Sequence, residues 1–265
     1  MIKLNRGVPP EYLDEEKISS LTARYNETGK SVWLRKGITI PLKKTSNGKC
    51  AYCEKKVDGN GSYMEVDHYR CKDQRPDLVV QWENLVPSCK QCNTKKGKFD
   101  VDAHHIVNPY IDEPCDHFIY SSLRVVGVTD KGKETVELFG YNLKDVDSRI
   151  SRMMILEKID SELENGINYY TMYLSNGVAR FLTRAKNILS GILSLCQPDS
   201  EYSAITSTLL LLNPNFIILM NHLKTYNVWD GNLDSKLTLA MENSFPVQRD
   251  EYRLVKMSNT QTEMA

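Results

Sequence analysis

The hydrophobic pattern along the chain changes character near residue 142. Before it, short apolar runs alternate with polar residues, and Met64 and Val66 on one face predict a strand. Residues 117–142 predict two short strands around a turn at residues 130–132. An early helix is predicted where apolar residues recur at helical spacing after acidic ones: Ile18, Leu21 and Tyr25. The first half is therefore expected to mix helices with short strands.

After residue 142 the apolar period is helical. The first of these helices is predicted to end at Gly166, since glycine is common just past a helix. Its apolar side consists of Ile150, Met153, Leu156, Ile159 and Leu163. A second helix is predicted over about 167–196, and a third apolar segment is interrupted at Pro214. That third segment is too short and too interrupted to span a bilayer, so no membrane partner is expected.

These patterns indicate an α+β protein with a mixed core followed by a mainly helical C-terminal region. We expect an N-terminal lead-in over residues 1–48 and a cysteine-containing domain with its following strand pair over 49–141. A helical region is expected over 142–230, and a polar tail over 231–265.

The overall net charge gives no evidence for a nucleic-acid partner, because the 34 basic and 34 acidic residues cancel. A nucleic-acid partner must therefore be recognised by a local excess of basic residues. Residues 43–98 have such an excess, with 12 Lys or Arg against 7 Asp or Glu. The N-terminal segment lacks an apolar run of signal-peptide length, which favours a cytoplasmic protein.

Four of the seven cysteines form two C-x-x-C pairs, Cys50 with Cys53 and Cys89 with Cys92. Two such pairs supply the four thiolates of a closed tetrahedral zinc site. A closed site has no open position for substrate, so this zinc is expected to be structural. The alternative is that the pairs are coincidental or redox-active.

The segment between the cysteine pairs contains residues suited to phosphodiester hydrolysis. That reaction needs a base for water and a cation for the charge that develops on the phosphate. Histidine is a natural base near neutral pH, and His68 directly follows Asp67. Asn84 and Asn93 come later, and carboxylate and amide oxygens suit Mg2+.

The order Asp-His, Asn, Asn, interleaved with C-x-x-C pairs, resembles the HNH endonuclease family. The stretches "KCAYCE", "EVDHYR", "WENLVPSCKQCNTKKG" and "NPYIDEPCDHF" further resemble the PtuB type, found in Septu and retron-linked antiphage systems. The resemblance covers roughly residues 1–150. It implies a catalytic unit of two strands and a helix around one divalent metal.

The resemblance also implies roles for four residues. His68 would be the general base, Asp67 and Asn93 would be the magnesium ligands, and Asn84 would hold the loop that orients His68. Asn93 stands where many members of the family have histidine. From the residues alone, Asp67 could instead pair with Arg70, and Asn84 could cap a turn.

Further polar residues surround this pattern. Glu65 lies two positions before Asp67 and shares its face of a strand, so it either supports the metal ligands or is merely exposed. Lys95, Lys96 and Lys98 are expected to contact phosphates, the alternative being an ordinary solvated face.

The expected function is a metal-dependent HNH endonuclease acting in antiphage defence. The alternative is a catalytically silent, zinc-dependent module that only binds nucleic acid. The resemblance implies a PtuA-type ATPase as partner. We expect this partner to bind the helical region 142–230, on its apolar segments over 167–223. Whether the substrate is DNA or RNA, including tRNA, stays open.

Overall fold

The computed structural model describes residues 1–59, 62–121, 123–143 and 147–247. The chain divides into two compact units. The first comprises Met1–His117 and Gly127–Gly140, and the second comprises Phe118–Val126 and the chain from Tyr141 onward. The expected α+β class, with a helical C-terminal region, is confirmed.

The first unit begins with two helices, α1 (Glu15–Thr28) and α2 (Lys36–Lys44), that pack on a small sheet. Later helices of the same unit are α3 (Lys90–Lys96), α4 (Pro114–His117) and α5 (Asp130–Phe139). The strands are β1 (Asp58–Gly59), β2 (Ser62–His68) and β3 (Leu85–Cys89). As predicted, α1 follows an acidic start, and the Asp14 side chain accepts a hydrogen bond from the Lys17 amide as its N-cap. Leu21 in α1 and Leu42 in α2 share a core with β2 and β3, so residues 1–48 belong to the same unit.

β2, β3 and α3 form a ββα arrangement. β2 and β3 are antiparallel, with His68 opposite Leu85 and Met64 opposite Cys89. α3 begins directly after β3, and the Cys89 sulfur accepts a hydrogen bond from the Cys92 amide at its N-cap. β1 pairs with β2 only at Ser62 and its neighbour, so in the described residues no strand covers the other edge of β2 from residue 64 onward.

The predicted turn at residues 130–132 is wrong, because these residues start α5. The strand pair lies earlier, as β4 (Phe118–Ser121) and β5 (Arg124–Gly127). The Thr129 hydroxyl accepts a hydrogen bond from the Gly132 amide and caps α5. A Cβ at Gly132 would lie 2.2 Å from the His117 carbonyl oxygen, so glycine here permits a close approach of two backbones. The same glycine suggests a turn when the sequence is read alone.

The second unit is a helical assembly. Its helices are α6 (Asp147–Asn176), α7 (Ala179–Leu195), α8 (Ser203–Leu212), α9 (Pro214–Thr225) and α10 (Gly231–Asn243). The predicted interruption at Pro214 is confirmed, since α8 and α9 are bent by 75°. The predicted stop at Gly166 is wrong, and α6 ends near Gly177, whose φ is 67°. Gly166 instead faces Leu219 of α9, where a Cβ would lie 2.6 Å from a leucine methyl.

The apolar side predicted for α6 is buried over only part of its length. Ile159 and Leu163 are fully buried, but Ile150 and Met153 are 58% and 55% exposed. Met154 is 64% exposed beside them, so the start of α6 presents an apolar surface within this unit. Periodicity identifies the face, but it does not show how far a partner helix extends along it.

The polar tail predicted from residue 231 starts too early, because α10 occupies 231–243 and buries Leu233 and Ala240. Residues 248–265 of that tail lie outside the described residues. In the described ranges, no single helix is long and apolar enough to cross a membrane; only the bent pair α8 and α9 reaches that length and composition together.

Candidate metal centre and catalytic groove

The four cysteines of the C-x-x-C pairs converge on one point. Their sulfur atoms all lie within 4.8 Å of one another, and the Cys53 and Cys89 sulfurs are 3.8 Å apart. Zinc–sulfur bonds of about 2.3 Å in a tetrahedron require sulfur separations of about 3.8 Å. The cluster therefore fits zinc. Within the described ranges, no other group of three or more His, Cys, Asp or Glu side chains comes this close together.

The backbone around the cysteines holds the two knuckles together. The Cys50 amide donates to the Lys55 carbonyl, closing the first knuckle over 2.8 Å. The Ala51 amide donates to the Pro87 carbonyl of β3 over 2.9 Å, and the second knuckle lies at the end of that strand. Zinc at this point would link the 50–53 loop to the β3–α3 junction.

His68 lies at the end of β2, 5% exposed, with its ring edge-on to Trp33 at 4.6 Å. Its Nε2 atom is 2.9 Å from the Val79 carbonyl oxygen. A carbonyl can only accept, so Nε2 carries the hydrogen and Nδ1 keeps the lone pair. Burial lowers the pKa of His68 to about 4, so the ring is neutral at pH 7.

Asn84 fastens the segment that supplies this carbonyl. Its Oδ1 atom accepts from the Arg70 amide at 2.7 Å, and its Nδ2 donates to the carbonyls of Arg70 and Leu78 at 3.0 and 3.2 Å. Leu78 directly precedes Val79. Asn84 therefore links the segment that follows His68 to the segment at Leu78–Val79 that contacts the His68 ring. The alternative pairing of Asp67 with Arg70 is not observed, because Arg70 binds Asp102.

Asp67 is buried on the opposite side of β2 from the Val66 core face. One carboxylate oxygen accepts from the Tyr52 hydroxyl at 2.6 Å, and the other lies 3.1 Å from the Lys96 ammonium. Burial raises the pKa of Asp67, while the Lys96 charge and the Tyr52 hydrogen bond oppose the rise. Lys96 also donates to the His68 carbonyl at 2.6 Å. One buried ammonium thus supports both residues of the Asp-His pair.

Asn93, in the middle of α3, points toward the same side of β2. Its Nδ2 atom donates to the Glu65 carboxylate at 2.7 Å. With the amide nitrogen directed at Glu65, the side-chain oxygen is the atom left for a cation.

A groove of about 630 Å3 connects these groups. It is lined by Glu65, Asp67, His68 and Asn93, together with lysines and aromatic residues. A carboxylate and an amide oxygen beside a groove that admits water match the ligands of Mg2+, which keeps several waters of its own. The chain therefore offers a donor set that fits magnesium, although the Lys96 ammonium already neutralises one Asp67 oxygen.

The three lysines expected to contact phosphate differ in their surroundings. Lys96 is 1% exposed and bound to Asp67, which contradicts a phosphate contact by this residue. Lys95 donates to the Phe139 carbonyl at 2.5 Å and is partly buried. Lys98 is 80% exposed at the groove and pairs with Asp73 at 2.7 Å. Lys72 lines the same groove and was not identified from the sequence.

The sequence pattern also did not identify Tyr52 and Val79 as residues that contact the Asp-His pair. Tyr52 lies between the cysteines of the first knuckle, where nothing local indicates a contact with a carboxylate 15 positions away. Val79 contributes only a backbone carbonyl, which has no sequence signal.

Known proteins are similar to this chain over its cysteine-containing segment and over most of its length. Residues 50–99 match the family model described as HNH endonuclease. The chain is 35% identical over 248 residues to "Septu protein PtuB" of Bacillus thuringiensis, covering 92% of this chain and 95% of that protein. The chain belongs to the PtuB family. This PtuB-family chain is also 23% identical over 207 residues to "Septu protein PtuB" of Bacillus mycoides (strain KBAB4), covering 60% of this chain and 70% of that protein.

A shorter similarity is confined to part of the PtuB-family chain. It is 38% identical over 72 residues to "Protein ea31" of Escherichia phage lambda, covering 26% of this chain and 23% of that protein. No solved structure matches the chain.

Proposed function

We propose that this PtuB-family chain is a magnesium-dependent HNH endonuclease that hydrolyses phosphodiester bonds of nucleic acid. The observation that carries the proposal is the pairing of His68 with the Val79 carbonyl, beside a groove that also holds Asp67 and Asn93. A neutral imidazole with a fixed tautomer is suited to accept a proton from water.

In this proposal His68 acts as the general base. Water in the groove gives its proton to Nδ1, while Nε2 donates to Val79 and holds the ring still. Asn84 is a positioning residue, because its hydrogen bonds to Arg70 and Leu78 fix the segment that ends at Val79. The edge-on Trp33 ring limits the remaining rotation of the imidazole.

Asp67 and Asn93 would hold the magnesium ion. When bound, the ion would stabilise the charge that develops on the phosphate and on the leaving oxygen. Lys96 donates to the buried Asp67 carboxylate, which opposes the rise of its pKa on burial, and also donates to the His68 carbonyl. Lys98 and Lys72, on the groove wall, would contact neighbouring phosphates.

The test compares wild type with His68→Ala on supercoiled plasmid and on total tRNA. Each protein is assayed with Mg2+ and without it, and no chelator is added, because a chelator would also strip the four-thiolate zinc site. His104→Ala is the matched control, since His104 is in the same unit and does not line the groove. We expect cleavage by wild type and His104→Ala only when Mg2+ is present, and a loss of at least 100-fold for His68→Ala.

The same assay tests the silent binding module. Equal nucleic-acid binding by wild type and His68→Ala, with no cleavage by either in the presence of its partner, would support that alternative. Equal cleavage by both proteins would exclude His68 as the base. The nucleic acid that is cut defines the substrate class.

We further propose that the nuclease is the effector of an antiphage system and that its partner is a PtuA-type ATPase. Two relatives are named Septu proteins. Within the second unit, Ile150, Met153 and Met154 form an exposed apolar surface at helical spacing, which is suited to a partner protein. This surface lies within the helical region 142–230 but before the segments 167–223 on which docking is expected.

The partner test is co-purification of the ATPase with surface variants. Met153→Glu combined with Met154→Glu should reduce recovery of the ATPase at least tenfold, because a charge would be buried in the interface. Met241→Glu is the matched control: Met241 is 61% exposed on α10, away from this surface in sequence. Unchanged recovery with the double variant would exclude this surface as the docking site.

A further inference from the structure

Among the described residues that line the groove, Glu65 is the acidic residue whose carboxylate contacts an expected metal ligand, Asn93. It lies on β2 two residues before Asp67, so both side chains face α3. Its carboxylate accepts a hydrogen bond from Asn93 Nδ2 at 2.7 Å. It is half-buried at the groove wall, so this bond is partly shielded from competing water.

An asparagine ligand has an orientation problem that a carboxylate lacks. The two ends of its amide have nearly the same shape, but only the oxygen binds a cation, and a flip would present the NH2 group instead. The fold needs a group that discriminates between the ends. A carboxylate only accepts hydrogen bonds when ionised, so it binds the NH2 end and turns the oxygen the other way.

We propose that Glu65 is a positioning residue that fixes the Asn93 amide with its oxygen toward the magnesium site. This inference rests on the proposed function. Glu65 would thus act like the outer hydrogen-bond partners that orient metal ligands in other proteins.

The experiment measures Mn2+ binding to the full chain by electron paramagnetic resonance, with Mn2+ as the probe in place of Mg2+ and no nucleic acid present. Glu65→Ala should raise the Mn2+ dissociation constant 10–100-fold, the usual effect of removing a partner of a metal ligand. Glu65→Gln keeps an acceptor for Asn93 but adds a donor, so it discriminates the two ends of the amide less well and should fall between wild type and Glu65→Ala. The double variant Glu65→Ala, Asn93→Ala should bind no more weakly than Asn93→Ala alone, because the two residues act through one contact.

Asp73→Asn is the matched control for charge. Asp73 lines the same groove and is bound to Lys98, so the variant removes one negative charge without touching Asn93. It should change the Mn2+ dissociation constant less than about threefold. Zinc content, measured by mass spectrometry, confirms that each variant is folded. If Glu65→Ala loses zinc, the variant Glu65→Ser is used in its place, because the serine side chain is also too short to reach Asn93.

The possible results distinguish a failure of the positioning role of Glu65 from a failure of the proposed metal site. If Asn93→Ala weakens Mn2+ binding and Glu65→Ala does not, the inference is wrong and the metal site stands. If the double variant Glu65→Ala, Asn93→Ala binds Mn2+ more weakly than Asn93→Ala alone, Glu65 binds the ion directly and the positioning role is wrong. If Asn93→Ala binds Mn2+ like wild type, the proposed ligand itself fails, and the inference fails with it.

Discussion

Replacing Lys96 with methionine should destabilise the first unit strongly, although lysine-to-methionine changes on α3 would ordinarily be mild. The Lys96 side chain is fully buried, and its ammonium donates to Asp67 at 3.1 Å and to the His68 carbonyl at 2.6 Å. Methionine fills a similar volume, so little cavity is expected. The cost comes from Asp67, whose carboxylate is 4% exposed and would keep its hydrogen bonds to the Tyr52 hydroxyl and the His68 backbone but lose its ammonium partner.

Removing one partner of a buried ion pair costs about 3–5 kcal/mol. For a unit of this size, 1 kcal/mol corresponds to a shift of roughly 2–4 °C in Tm, so the expected fall is roughly 6–20 °C. Thermal unfolding is followed by tryptophan fluorescence, to which Trp33 and Trp82 in the same unit contribute. The buffer is free of Mg2+ and of chelators, so that zinc stays bound.

Two variants make this prediction refutable. Lys98→Met is the same change two residues away, at a side chain that is 80% exposed and paired only with Asp73, and it should cost less than about 1 kcal/mol. Adding Asp67→Asn to Lys96→Met removes the unpaired charge and should recover more than half of the loss. A Tm for Lys96→Met within 2 °C of that for Lys98→Met would show that the buried pair is not formed in solution.

Three further predictions concern the zinc cluster, the His68 segment and one glycine. Cys53→Ser should abolish the single bound zinc and unfold the first unit, which zinc analysis and circular dichroism would detect; retained stoichiometric zinc would contradict the cluster. Asn84→Ala should increase amide hydrogen exchange in the 70–79 segment and lower cleavage at least tenfold with zinc content unchanged, and unaltered exchange there would refute its positioning role. Gly132→Ala should lower the free energy of unfolding by about 1–3 kcal/mol in urea titrations, because its Cβ would collide with the His117 carbonyl. The control Gly191→Ala should be neutral or stabilising, because a Cβ there meets no atom within 4 Å.

Part of the site follows from sequence because its chemistry is local. The C-x-x-C spacing brings two thiolates together within one turn, and the structure unites both pairs in one cluster. The adjacency of Asp67 and His68 on a strand sends their side chains to opposite faces, whatever the rest of the fold does. Helix caps such as Asp14 are likewise local, since the side chain bonds an amide three residues away.

Other features had no local signal. Lys96 and Lys98 look alike in sequence, but Lys96 ends α3 and is buried against Asp67, whereas Lys98 lies past the helix end at Gly97 and is exposed. Gly132 and Gly166 suggest a turn and a helix stop, yet both lie within helices at close approaches to other backbone or side chains. Glycine signals both conformational freedom and lack of bulk, and only packing distinguishes them.

The four cysteines of the candidate zinc cluster, the strand that carries the Asp-His pair and the resemblance to the PtuB type can be read from the residues and their spacing alone. Which atoms those residues use depends on packing. The Val79 carbonyl selects the tautomer of His68, and Glu65 engages one end of the Asn93 amide. Both contacts join residues far apart along the chain, so their geometry depends on loop closure and packing, and residue type and spacing do not encode it.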